Sequence, residues 1–306
     1  MDIHTCYSLS QQGVEDMNII KIYQKFPTDN DCLKHLELVR WDNKPRCTYC
    51  NSLNCTPRPK ENRHHCNNCN TTFSVTVGTI FHHTHLPLQK WFLAVTLILN
   101  AKKGISARQL ARDLDVNKDT AWRISMKIRE AMMERAQRDL LTGIVEVDET
   151  YIGGKPRRGG PNGGKSHRGR GTTKTPVVGM VERQGKIRAK VVKKYQLKSK
   201  DLKSLIRQNV DIENTTLMTD QYRRDEGIQQ IMAHKVINHS IWYVDGNTHT
   251  NTIESFWVLL KRGLIGQFHK VSIRYLPCYV NEFCYRYNYR DHEDLFGLTI
   301  QRALRG

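Results

Sequence analysis

Cys47-x-x-Cys50 is followed, after a gap of fifteen residues, by Cys66-x-x-Cys69. Two such pairs supply four thiolates, the ligand set that tetrahedral Zn²⁺ takes in structural sites, and a gap of this length lets a short hairpin return and close the site. Whatever else the chain does, residues 47–69 are expected to fold as a zinc ribbon held by these four cysteines. The doublet His64-His65 sits beside Cys66 and competes on chemistry alone. With four cysteines already at the right spacing, the histidines read as surface groups or as support for the ligands.

The cysteine pattern also speaks to the compartment. Five of the nine cysteines, Cys6, Cys32, Cys55, Cys278 and Cys284, are scattered and odd in number, which suits a reducing cytosol better than a disulfide framework. Residues 1–16 lack the apolar core of a secretory signal, and Met17 is a competing start. The longest apolar run, Trp91 to Leu99, is too short to span a bilayer. A cytoplasmic protein is expected, nucleoid-associated if the source is prokaryotic. Lys and Arg number 48 against 30 Asp and Glu, a formal net charge of +18. Such an excess points to a polyanionic partner, most simply DNA or RNA.

Periodicity divides the chain. Residues 29–41 read as a helix, with Cys32, Leu33, Leu36 and Val39 on one face and Thr28 or Asp29 as cap. A strand over Thr71 to Val77 closes the ribbon. Leu88 to Asn100 reads as an apolar helix. Ser106 can cap a helix over Ala107 to Leu114, Asp115 to Asn117 form a turn, and Lys118 to Met132 form a further helix bearing Thr120, Arg123, Lys127 and Arg129. Helix, tight turn and basic helix make the helix-turn-helix plan, which assigns Arg123 and Lys127 to DNA. An ordinary helical linker with a solvated basic face is the competing reading.

From residue 143 the pattern changes to strands: Ile144 to Asp148, Pro176 to Val181, Ile187 to Tyr195, Thr216 to Asp220 and Ile241 to Val244. Helices are expected over Asp201 to Gln208 and over Asn251 to Arg262. This succession implies an α/β domain with a mixed sheet. Asp148 and Asp220 each close an apolar strand, where acidic groups would face a common edge of the sheet. Glu254 falls in the helix after the last strand. Three carboxylates at one place repel one another unless they share protons or hold a divalent ion, and hard oxygen ligands favour Mg²⁺ or Mn²⁺. Two such ions can activate an attacking oxygen and stabilise the leaving oxygen of a phosphodiester. Glu149, Asp225 and Asp245 are the nearest competitors, Asp245 being explained by its turn-like setting before Gly246-Asn247. Lys261, two helical turns after Glu254, would meet a DNA phosphate from the same helix face.

Between Gly153 and Lys174 lie seven Lys or Arg among eight glycines. Gly159 to Ser166 matches the P-loop pattern, but neither a buried strand before it nor a helix after it is present, so nucleotide binding is rejected. The segment reads as a basic loop that orders on a phosphate backbone through Lys155, Arg157, Arg158, Lys165, Arg168 and Arg170.

Val145-Glu-Val-Asp148-Glu-Thr-Tyr-Ile-Gly-Gly-Lys155 resembles the first catalytic block of insertion-sequence transposases of the ISXO-like group. Thr219-Asp220-Gln-Tyr resembles the second block, and His249-Thr-Asn-Thr-Ile-Glu254-Ser-Phe-Trp-Val-Leu-Leu-Lys261-Arg the third. Tyr279-Val-Asn-Glu-Phe with Arg286-Tyr-Asn-Tyr-Arg290 resembles the closing helix, and the resemblance runs from about residue 20 to 295. It implies an RNase H-like catalytic domain with a DDE triad of Asp148, Asp220 and Glu254 that holds Mg²⁺, and Lys261 as the basic residue after the Glu. Asn247 and Asn251 lie close in sequence and receive no role.

The expected organisation is a tail over 1–28, a helix and zinc ribbon over 29–80, a helical DNA-binding region over 81–140, the catalytic domain over 141–295 and a tail over 296–306. The expected function is a DNA transposase that binds the ends of its element and carries out metal-dependent cleavage and strand transfer, acting as a homo-oligomer on DNA. A DNA-binding regulator, or a catalytically silent transposase, is the alternative.

Overall fold

The computed structural model describes residues 17–134, 139–154, 172–220, 227–237 and 249–305. The chain divides into two compact units. Residues 17–100, 110–131 and 291–305 belong to the first, and 101–109, 132–134 and the other described residues up to Arg290 belong to the second.

The first unit begins with α1 (Ile19–Lys25) and α2 (Asp29–Trp41). Thr28 and Asp31 start α2 with a reciprocal capping box, and Cys32 and Leu36 are buried on its inner face. The ribbon follows as a three-stranded antiparallel sheet of β1 (Cys55–Arg58), β2 (Arg63–Cys66) and β3 (Thr71–Phe73). β3 stops at Phe73, short of the expected Val77, because the chain then enters the hydrogen-bonded turns Ser74–Val77 and Thr76–Thr79. The apolar α3 (Leu88–Asn100) is almost wholly buried and packs against α1, α2, α5 (Lys118–Ala131) and α9 (Leu295–Ala303). Phe26, Phe92 and Phe296 meet at the centre of this helical core. Residues 296–303, read from sequence as part of a tail, are helix, with Phe296, Ile300 and Ala303 buried.

α4 (Ala107–Leu114) starts at Ser106, whose hydroxyl accepts from the Gln109 N–H. Asp115 adopts a left-handed backbone at the turn, and Asn117 caps α5 by accepting from the Thr120 N–H at 2.7 Å. The expected helix, tight turn and helix are thus present. Arg129 does not join the basic face of α5: it is 1% exposed and donates to Ser125 four residues earlier.

The second unit is built on a five-stranded sheet in the order β6-β5-β4-β7-β8. β4 (Leu141–Ile152) is central, β5 (Thr175–Glu182) and β6 (Ile187–Val191) follow antiparallel, and β7 (Val210–Asp220) and β8 (Ala233–Ile237) run parallel to β4. This mixed order is the RNase H-like arrangement. β6 ends at Val191 because a 3₁₀ turn, Lys194–Leu197, takes over within the span expected as strand. The fifth strand of the sheet is Ala233–Ile237; the strand expected over 241–244 lies outside the described residues. Val145 and Val147 of β4 pack with Leu202 and Ile206 of α6 (Ser199–Asn209) in one core. The opposite face of β4 and β5 carries α7 (Asn251–Gly263). A π-helical turn, Leu264–Phe268, extends α7, and α8 (Leu276–Asn288) packs on β6.

Candidate active site and metal centre

β4 and β7 run parallel with Val147 opposite Thr219, so Asp148 and Asp220 leave the paired stretch at the same level. In parallel strands side chains at the same level point to the same face, which here is the face covered by α7. Asp148 does not end its strand, as expected, but lies where β7 stops; β4 runs on to Ile152, paired with β5. Glu254 projects from the first turn of α7 and accepts from the Thr250 hydroxyl at 2.9 Å. Burial pushes the Asp148 carboxyl up to about 6, and the charges of Glu149 and Glu254 add to the rise, against hydrogen bonds from the Glu149 backbone and Trp257. Asp148 and Glu254 therefore share one electrostatic neighbourhood. Asp220 and Glu254 are exposed. Glu149 turns to the other face, where the Tyr151 hydroxyl donates to it at 3.0 Å.

Lys261 sits two turns beyond Glu254 on α7. Desolvation lowers its pKa and Lys174 lowers it further, while Asp148 opposes both. The charge of Asp148 thus reaches Lys261. Trp257, one turn after Glu254, donates its indole N–H to Asp148 at 3.0 Å. Its ring can lie against the sheet because Gly179 of β5 stands directly opposite Asp148. A Cβ at Gly179 would come within 2.6 Å of the Trp257 ring and 2.9 Å of Ile253.

Below this edge is a group that sequence reasoning passed over. Glu146, two residues before Asp148, is fully buried. It accepts from the backbone N–H groups of Thr252 at 2.8 Å and Ile253 at 3.0 Å, and from the Thr252 hydroxyl at 3.0 Å. Arg183 donates its Nε–H to the same carboxylate at 2.7 Å and a second N–H to the His249 carbonyl. The His249 ring lies 3.3 Å from Glu146. A carboxylate on the strand of Asp148 thereby holds the positive end of the helix that carries Glu254, and Arg183 compensates the buried charge. The only signal in the sequence is an acidic residue inside an apolar strand.

Chemistry of the donors decides which ions these sites fit. The carboxylates of Asp148, Asp220 and Glu254 offer hard oxygen, and the proton affinity of Asp148, raised chiefly by burial and further by the charges of Glu149 and Glu254, would be relieved by a divalent cation. Among the described residues, the one group of three or more His, Cys, Asp or Glu side chains close enough together to hold an ion is the ribbon's: Cys47, Cys50, Cys66 and Cys69 present sulfur atoms all within 4.8 Å of one another. Cys47 and Cys69 lie 3.7 Å apart, Cys50 and Cys66 3.4 Å, and all four are free thiols. Each pair is followed by an asparagine with left-handed backbone, Asn51 and Asn70, which turns the chain around the sulfurs. Backbone N–H groups of Cys69 and Asn68 bring the Cys66 thiol down to about 6. The Cys50 thiol rises to about 12: the Ser52 N–H pulls it down, but the neighbouring cysteines overcome this. Four sulfurs competing for protons at this spacing suit a soft-ligand cation such as zinc. His64 and His65 turn elsewhere. His64 is buried between Trp41 and Phe73 and bonded to Glu37 at 2.8 Å, and His65 meets Thr72.

Of the residues assigned to DNA, Arg123 is exposed on α5 and Lys127 donates to the Ile80 carbonyl at 3.0 Å. Lys155, Arg157, Arg158, Lys165, Arg168 and Arg170 lie outside the described residues, as do Asp225, Asp245 and Asn247. No described helix is long and apolar enough to cross a membrane.

Residues 140–288 match the family described as the ISXO2-like transposase domain. A protein in transposable element ISH50 of Halobacterium salinarum is 30% identical over 253 residues, spanning 78% of this chain and 84% of that one. The Mos1 strand transfer complex is a distant structural neighbour, with a TM-score of 0.27 and 12% identity over 70% of this chain and 74% of that chain, too remote to bear on function. With so much of both chains aligned to a transposable-element protein, and the matched domain coinciding with the sheet that bears the acids, this protein belongs to the ISXO2-like insertion-sequence transposases.

Proposed function

We propose that the protein binds the ends of its own insertion sequence and catalyses divalent-metal-dependent cleavage and strand transfer, with Asp148, Asp220 and Glu254 as the metal-holding acids. The observation that carries this reading is the parallel register that brings Asp148 level with Asp220, together with the electrostatic reach of Glu254 onto Asp148. Mg²⁺ or Mn²⁺ held by these carboxylates would supply activation of the attacking oxygen and charge stabilisation on the leaving one. The chain's own groups do the positioning. Trp257 fixes the Asp148 carboxylate, Thr250 orients Glu254, and the Glu146–Arg183 pair anchors α7. The Lys261 ammonium meets a phosphate close to the reacting phosphorus. Water displaces the 3′ oxygen at the element's end, and the freed 3′-hydroxyl then displaces a 3′ oxygen in target DNA at the same acids. The ribbon and α5 hold the DNA, with Arg123, Lys127 and the basic residues between 155 and 170 on its phosphates. Two ends must be joined, so the working form is a homo-oligomer on DNA.

The test is a joining reaction with DNA carrying the flanks of the protein's own gene and a target plasmid, with and without Mg²⁺. Joined products that need Mg²⁺, and are lost in Asp148→Asn and Asp220→Ala while flank binding persists, are expected. Joining by Asp220→Ala at the wild-type rate would sink the assignment. Flank binding by the wild type without any cleavage would favour a silent, DNA-binding form.

A further inference from the structure

A cavity of about 660 Å³ in the first unit has no part in the acidic site. This volume is in the range of sites that enclose a small organic group. One wall is the turn His82-His83-Thr84-His85-Leu86. The other is Asn117, the cap of α5, with Thr120, Arg123, Ile124 and Lys127 on one face of that helix, and Trp91 also lines the cavity.

The wall is rigidly built. The Trp91 indole N–H donates to the Thr84 hydroxyl at 2.8 Å, and the same oxygen accepts from the Leu86 N–H at 3.1 Å. Lys127 ties α5 to this segment through the Ile80 carbonyl. His83 is held with φ 55°, a left-handed backbone that a non-glycine residue adopts only when its surroundings require it. The result is a flat platform: the His82 and His83 rings stack at 3.9 Å with 23° between planes, and His83 is exposed at the outer end.

The lining holds an arginine, a lysine and three histidines, and no acid. Its two cations favour an anion, and among the described residues its histidines do not gather closely enough to form a metal-holding group. Flat rings beside a guanidinium are the chemistry that stacks on nucleobases and pairs with the adjoining phosphate. Shape decides which nucleic acid form enters. A duplex groove receives a convex element such as a helix, whereas a concave site receives a base that has left the stack. We propose that this cavity takes one unpaired nucleotide of a DNA strand, its base on the His82–His83 platform and its phosphate toward Arg123. The inference rests on the reading that the protein binds DNA.

The experiment uses full-length, zinc-loaded protein and three probes: a duplex from the gene's flank, the same duplex with one unpaired nucleotide, and the single strand. 2-Aminopurine at the unpaired position reports stacking. The wild type is expected to prefer the unpaired and single-stranded probes by roughly 5- to 150-fold, the worth of one stacked base. His83→Ala should abolish this preference and leave duplex affinity unchanged, and His83→Phe, which keeps a flat ring, should retain it. Equal affinity of the wild type for paired and unpaired probes, or equal preference in His83→Ala, would overturn the cavity assignment and leave DNA binding standing. Failure to bind any of the three would overturn the DNA reading as well. Displacement of the strand by an equal concentration of a free deoxynucleoside monophosphate would assign the cavity to free nucleotides and overturn the proposal.

Discussion

At the scale of single residues, the position of Asp148 is decided by an atom that is absent. Gly179 has no Cβ, so Trp257 reaches across the sheet and its N–H meets the carboxylate. Gly179→Ala places a methyl where the indole now lies, and overpacking of this kind costs about 1–3 kcal/mol. We expect a lower melting temperature and a larger proportional loss of DNA joining, since the tryptophan must shift from Asp148. A joining rate equal to wild type in that variant would show that the Trp257 contact is dispensable. Asp148 and Asp220 were legible as candidates because each follows a run of apolar strand residues, and Glu254 and Lys261 because they stand seven positions apart in one amphipathic helix. Gly179 was not, since its meaning comes from a residue 78 positions away (257 − 179). Arg129 misled for a related reason: helical periodicity assigns a face, but not which arginine turns inward to Ser125.

The elements tell the same story with more regularity. α3 follows its apolar period from Leu88 to Asn100 because burial on nearly all sides leaves the helix no competing partner. β8, Ala233–Ile237, escaped notice because a short strand bearing His234 and Lys235 lacks an alternating apolar pattern and is recruited by pairing with β7. α7 is where element and chemistry meet. Glu146→Ala removes the acceptor for its first turn and strands the Arg183 charge, a change worth about 3–5 kcal/mol for a buried pair. The second unit should melt earlier and joining should fall. Glu146→Gln, which keeps an acceptor but not the charge, should recover part of both; full stability in Glu146→Ala would refute the anchoring role. The ribbon makes its own prediction. Cys66→Ser removes one of the four gathered sulfurs, so the ribbon should lose its hold on zinc and the local fold of residues 47–73 with it. Unchanged metal content by mass spectrometry would exclude these cysteines as ligands.

On the scale of the whole molecule, the first unit is discontinuous in sequence. Its core takes α1 to α3 and α5 from early in the chain and α9 from the end. Phe296 of α9 sits 6.2 Å from Phe26 and 5.6 Å from Phe92. A chain stopped at Arg290 loses Phe296 and Ile300, each worth about 1.5–3 kcal/mol of burial. Calorimetry should show the transition of the first unit weakened or gone, although every residue of the ribbon and α5 is still present. An unaltered transition would mean that α9 is not needed there. The same connectivity orders events on the ribosome. The ribbon and helices emerge first, yet their core waits on the order of ten seconds for the rest of the chain at ordinary synthesis rates. Chains terminated before α9 therefore lack a finished first unit, so abortive translation leaves no stably folded copy of the ribbon and helices behind.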